Sequence, residues 1–281
     1  MILTNTFLAH DSPVNVIALS CDGTIMLTAA DDGYLIAWDL KTGYKLQELN
    51  CVFHGPVISV RWIDLGKGDN LAFVFGCADG TLQVYQRDDD QTPFIFCSST
   101  SAHNGFVQYL SFDPNHGRIA SAGGGTVHVW KLNAGGILES MTTDVNDEGY
   151  MLQSVHFCNN GTNVVLCYCE SHEVLCYSVD PWSLKWARQL STRIGHSILS
   201  RDRQTLFGSN LVSGVDQYKF PLLERVRSYS YPIVRNRIMQ VGTLGTQLVI
   251  GGDDGFAHLY DTTTGRLLQM LEHTRDKRHS S

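Results

Sequence analysis

LTAADDGYLIAWDL, residues 27–40, reads as a strand, a tight turn and a second strand. Its centre, Ala29-Ala30-Asp31-Asp32-Gly33, joins acidic residues to a glycine, residue types that tolerate or supply the positive φ of a tight hairpin. Tyr34-Leu35-Ile36-Ala37-Trp38 then alternates with period two, as a half-buried strand does. One hairpin decides little. Its recurrence decides the fold.

The pattern returns along the chain. Asp79-Gly80 and Tyr85 repeat it in ADGTLQVYQ, Gly124-Gly125 and Trp130 in GGGTVHVWK, and Asp254-Gly255 with Tyr260-Asp261 in DDGFAHLYD. SHEVLCYS ends on Tyr177, and the degenerate SGVDQYKF carries Tyr218 at the aromatic position. These aromatics lie 47, 45, 47, 41 and 42 residues apart, a period near that of propeller blades. A strand-and-turn run precedes each hairpin: VNVIALSCDG, VISVRWIDLG, VQYLSFDPNHG, LQSVHFCNNG, IGHSILSRD and RIMQVGTLG. A short strand follows each: KLQEL, FIFCSS, GILESM, LKWARQL, LLERVRS and RLLQML. Each unit thus holds four strands.

Over nearly its whole length the chain resembles the WD-repeat β-propeller family. The likeness implies a turn His tied through an Asp of the second hairpin, and through a Ser or Thr, to the Trp. His10, Thr28, Asp32 and Trp38 fill all four positions in unit one. Unit two keeps His54 and Asp79 but has Phe75 and Tyr85; unit three keeps His103 and Trp130 but has Gly124 where Asp is expected. Unit six keeps Asp254 and Tyr260. A buried indole N–H needs an acceptor and a buried carboxylate needs donors, so the expected role is structural, not catalytic. Gly195-His196 imitates the turn dipeptide, but aligning SILSRD with IALSCD puts it inside a strand.

Counting strands predicts an all-β propeller of four-stranded antiparallel blades with six recognisable repeats, in a seven-bladed architecture whose last blade is incomplete. Residues 4–9 read as one outer strand and 265–271 as another, giving seven outer strands for six triplets, and Glu272-His273 reads as the start of a seventh unit. The expected organisation is a propeller over 1–272 and a tail over 273–281. A six-bladed ring with a spare N-terminal strand is the alternative.

The 281 residues carry a formal net charge of −7 and eight Cys, with no C-x-x-C pair. Cys158, Cys167, Cys169 and Cys176 cluster, yet lack the paired spacing of zinc ligands, so buried packing is expected and no metal or other cofactor. The N-terminus has no basic region followed by a long apolar run, and nothing approaches the ~18 apolar residues of a membrane span. The expected compartment is cytoplasm or nucleus. Gly123-Gly124-Gly125 is a hairpin turn, not a phosphate loop opening a helix. Asp31-Asp32 and Asp253-Asp254 occupy equivalent turns, and Asp88-Asp89-Asp90 reads as a solvated loop. Nothing assembles a nucleophile, a base and an orienting group, so no enzyme is expected.

In the family, partners often bind the turns ahead of each first strand. Here those positions are Pro13, Pro56, Phe106, Met151, Arg193 and Arg235, with Arg237 two residues further along the same expected strand face. Proline, aromatic, methionine and arginine side chains make good interface anchors. Residues 1–100 carry 5 basic and 12 acidic side chains, whereas 185–240 carry 10 basic and 3 acidic. That basic sector suits acidic or phosphorylated segments of other proteins; specific nucleic-acid binding is not expected. The leading expectation is a non-catalytic interaction scaffold that serves as a subunit of a larger complex. The alternative is an enzyme or a small-ligand or phosphopeptide binder using the central channel or top face.

Overall fold

Period-two alternation bounded by glycine turns dictates strands, and the computed structural model, which describes residues 7, 9–63, 71–89, 92–142 and 150–272, contains 24 of them. They form six four-stranded antiparallel sheets, and in each the four strands follow one another in sequence order. The chain packs as two units, residues 1–164 with 178–183, and residues 165–177 with 184–281.

In the first unit, blade one is β1 (Val14–Leu19), β2 (Ile25–Ala30), β3 (Tyr34–Asp39) and β4 (Lys45–Asn50). Blade two is β5 (Val57–Ile63), β6 (Leu71–Cys77), β7 (Thr81–Arg87) and β8 (Ile95–Ser101). Blade three is β9 (Val107–Asp113), β10 (Arg118–Gly123), β11 (Thr126–Leu132) and β12 (Leu138–Ser140). Blade four, β13 (Leu152–Cys158), β14 (Asn163–Tyr168), β15 (Glu173–Ser178) and β16 (Ser183–Gln189), has residues in both units. The second unit holds blade five, β17 (Ser197–Leu199), β18 (Thr205–Ser209), β19 (Gly214–Lys219) and β20 (Glu224–Ser230). It also holds blade six, β21 (Val241–Leu244), β22 (Gln247–Gly251), β23 (Phe256–Asp261) and β24 (Leu267–Glu272).

The sequence of each strand follows from its place. β2 is buried at every position, which is why IMLTAA carries no charge, whereas β4 reads KLQELN and is largely exposed. Facing blades one and two share a core that includes Leu27, Leu35, Phe73, Phe75 and Trp62, and each fully buried large side chain contributes about 1.5–3 kcal/mol. The turn between β2 and β3 needs glycine twice over. Gly33 has φ 76°, and a Cβ there would stand 2.9 Å from Val52 Cα. Gly80, in the matching turn of blade two, has φ 88°, and a Cβ there would collide with the His103 carbonyl.

The seven-bladed expectation is wrong: the described residues form six blades, each of four strands. It assumed that an N-terminal strand supplies the outer edge of the last blade, which left 265–271 surplus. Instead β24 pairs with β23 and completes blade six from the segment that follows it. No seventh sheet occurs among the described residues. Of the expected outer strand at 4–9, only Phe7 and Ala9 are described, and neither is in a strand. The proposed tail at 273–281 lies outside the described residues. A second correction concerns RIMQVGTLG: residues 231–240 carry no strand, and β21 begins only at Val241, so Arg237 does not share a strand face with anything.

Candidate functional site

The turn His of blade one is held between β2 and the turn that follows it. Trp38 Nε1–H donates to Thr28 Oγ1 at 2.9 Å, the Thr28 hydroxyl meets His10 Nε2 at 2.8 Å, and His10 Nδ1 meets Asp32 Oδ2 at 2.9 Å. Asp32 also accepts the Tyr34 and Asp11 N–H groups, so a single carboxylate fixes the turn and the incoming chain together. Phe7 packs edge-on against Trp38 at 5.2 Å.

Blade three builds the same relay from His103 and Trp130, which the repeat pattern named, with Ser121 and Thr126, which it did not. Trp130 Nε1–H donates to Ser121 Oγ (2.9 Å), Ser121 meets His103 Nε2 (2.8 Å), and His103 Nδ1 meets Thr126 Oγ1 (3.0 Å). The Thr126 hydroxyl itself donates to the Gly123 carbonyl oxygen. A hydroxyl therefore stands where blade one has a carboxylate. Burial, and next the nearby His128 imidazole, pull the His103 pKa down to about 3.

Elsewhere the relay is replaced. In blade two His54 Nδ1 meets Asp79 Oδ2 at 2.7 Å on the surface, while Tyr85 stacks on Phe73 and Phe75 where indole and hydroxyl would be. In blade five buried Asp216 accepts the Tyr218 and Ser228 hydroxyls. In blade six buried His258, which sequence reasoning overlooked, meets Asp254 at 3.1 Å and stacks on Tyr231. Gly195 and His196 already pair with Ser209 ahead of β17, and His196 Nδ1 accepts the Val241 N–H at 3.3 Å. Desolvation brings the His196 pKa down to about 4, which suits an imidazole that must accept.

These groups are used internally. No cluster of three or more His, Cys, Asp or Glu able to hold a metal occurs among the described residues, and Cys158, Cys167, Cys169 and Cys176 are all buried. No helix among the described residues is long and apolar enough to cross a membrane.

The surface residues lie in the connections ahead of each first strand. Pro13, Pro56, Phe106 and Met151 directly precede β1, β5, β9 and β13. Phe106 and Met151 are exposed large apolar side chains and Pro13 is exposed, while Pro56 is half-buried. Arg193 precedes β17 by four residues; Arg235 and Arg237 precede β21 by six and four, and all three are exposed. The sequence reading missed Phe53, whose side chain is fully exposed on the 3₁₀ turn Val52–His54. That turn is pinned: Cys51 N–H donates to the Gly33 carbonyl, His54 is tied to Asp79, and Val52 packs on Gly33.

A family model described as WD domain, G-beta repeat matches residues 1–39 and 95–131. A guanine nucleotide-binding protein subunit beta-like protein of Encephalitozoon cuniculi is 25% identical over 44% of this chain and 36% of its own length. Pleiotropic regulator 1 of Mus musculus is 26% identical over 30% of this chain and 17% of its own, and COMPASS component SWD1 of Saccharomyces cerevisiae is 30% identical over 40% and 24%. The match spans little more than a third of the first of these relatives and less of the others. Two segments match the repeat model, and the described residues, with six four-stranded sheets and the His–hydroxyl–Trp relays of blades one and three, are similar in architecture to the WD-repeat proteins.

Proposed function

We propose that the chain is a non-catalytic scaffold of the cytoplasm or nucleus that binds other proteins through the connections ahead of the first strands. The observation that carries this reading is Phe53, an aromatic side chain fully exposed on a turn whose backbone is fixed by its neighbours. Exposing an apolar ring of this size lowers stability, and a rigid exposed ring loses little entropy on binding. Pro13, Pro56, Phe106 and Met151, in equivalent connections of the same unit, are the further anchors, and Arg193, Arg235 and Arg237 engage an acidic or phosphorylated segment of a partner. The relatives whose names print a complex or a subunit, COMPASS component SWD1 and the beta-like protein, fit the same reading.

Quantitative affinity capture tests it, comparing wild type with a folded Phe53→Ala/Phe106→Ala variant. The expected result is partners that wild type retains and the variant loses. Identical partner sets at identical yields would refute the proposed face.

A further inference from the structure

Asp253, in the turn between β22 and β23, puts both carboxylate oxygens on a neighbouring connection. Oδ1 accepts the Val234 N–H at 2.8 Å and Oδ2 the Arg235 N–H at 2.5 Å. The N–H groups of Asn236 and Arg237 face the same carboxylate, and Asn236 has φ 51°. Successive amides curled through a left-handed residue form a concave anion seat. Here the anion is part of the chain.

The consequence is for the side chains. Residues 231–240 have no strand ladder to order them, yet one carboxylate binds the Val234 and Arg235 amides, and those of Asn236 and Arg237 follow on the same side. Arg235, Arg237, Val234 (66% exposed) and Ile238 (46% exposed) are left facing solvent. Two guanidinium and two aliphatic groups on a fixed backbone complement a short acidic segment carrying apolar residues. Ordering such a connection at the moment of binding would cost about 1–2 kcal/mol per residue of backbone entropy, which a preset loop avoids.

We propose that Asp253 is a positioning residue for this surface, fixing Val234–Ile238 so that Arg235 and Arg237 receive an acidic, partly apolar peptide segment of a partner protein. The inference rests on the partner-binding reading of the two arginines. Its sign separates it from simple electrostatics. Removing the Asp253 charge close to two arginines would, by Coulomb attraction alone, strengthen the hold on an acidic peptide. Releasing the loop weakens it.

The probe is a labelled synthetic peptide of glutamate pairs separated by leucine, titrated into the full chain by fluorescence anisotropy. Amide hydrogen exchange over 234–237 is followed in parallel. The wild type should bind it, Arg235→Ala/Arg237→Ala should lose about tenfold or more, and Asp253→Ala should lose about tenfold with faster exchange of the four amides. Asp253→Asn, which keeps one acceptor oxygen, should fall between. An Asp253→Ala variant that binds as well as or better than wild type overturns the positioning role and leaves the arginine reading standing. A wild type that ignores the peptide, or a double arginine variant that binds it unchanged, overturns the arginine reading and the inference with it.

Discussion

Blades one and three carry the same relay with different electrostatics. In blade one His10 lies between a hydroxyl and a carboxylate; in blade three His103 lies between two hydroxyls, Ser121 and Thr126. Indole, hydroxyl and imidazole Nε2 are common to both, and only the acceptor for Nδ1 differs. What the fold requires there is an acceptor at hydrogen-bond distance, not a charge. Either oxygen can accept the Nδ1–H of a neutral or a protonated imidazole, but only the carboxylate offsets the positive charge of the protonated form.

The largest break comes at the shared centre. Ser121→Ala removes the atom that accepts from Trp130 and meets His103, leaving two buried polar groups unsatisfied. Each such group costs about 1–3 kcal/mol, so the expected loss is about 4 kcal/mol by denaturant unfolding. A loss under ~1 kcal/mol would mean that the relay does not fasten blade three. Asp32→Ala in blade one should cost about 2 kcal/mol, because the partly exposed turn lets water replace some of the lost acceptors. Equal losses at the two sites would contradict the ranking.

Acid separates the blades next. The His103 imidazole falls from an ordinary value of 6.5 to about 3 in the folded state, so it binds protons more readily when unfolded. Its contribution is complete above pH 6.5 and is lost as pH falls from there toward about 3, amounting to about 2 kcal/mol by pH 5. His196, lowered to about 4, titrates in an overlapping window, so the isolating measurement is wild type against His103→Gln at pH 7 and pH 5. The variant should lose less stability over that interval, and equal slopes would rule out His103 as an acid-labile group.

Much of this was legible in the sequence, and the failures have physical causes. The recurring hairpin fixed blade composition, and the four blade-one residues are joined in one hydrogen-bonded chain, Trp38 to Thr28 to His10 to Asp32. The blade-three acceptor was missed because Asp was sought at Gly124, while Thr126, two residues on, reaches the same nitrogen. His258 was missed because it sits on β23, not in a turn. RIMQV alternates like a strand, but Asp253 draws in the amides just ahead of it and β21 starts late. Phe53 has no place in the repeat pattern, and it is the pinned 3₁₀ turn that leaves its ring exposed.

The finest test exchanges the difference itself. Thr126→Asp places blade one's carboxylate beside His103 Nδ1, the atom that now meets the Thr126 hydroxyl at 3.0 Å. Thr126 is only partly buried and sits at the edge of β11, so the carboxylate keeps some hydration and its desolvation cost is modest. Near neutral pH the gain of an acceptor and the loss of the hydroxyl's bond to Gly123 should nearly cancel, within about 1 kcal/mol. In acid the variant should diverge. An adjacent carboxylate favours the imidazolium, lifting the folded-state pKa of His103 back toward its unfolded value and flattening the decline between pH 6.5 and 5. NMR titration of the His103 ring reads the shift directly. A ring that stays neutral to the same pH as in wild type would show that burial alone, not the identity of the acceptor, sets the charge state of blade three.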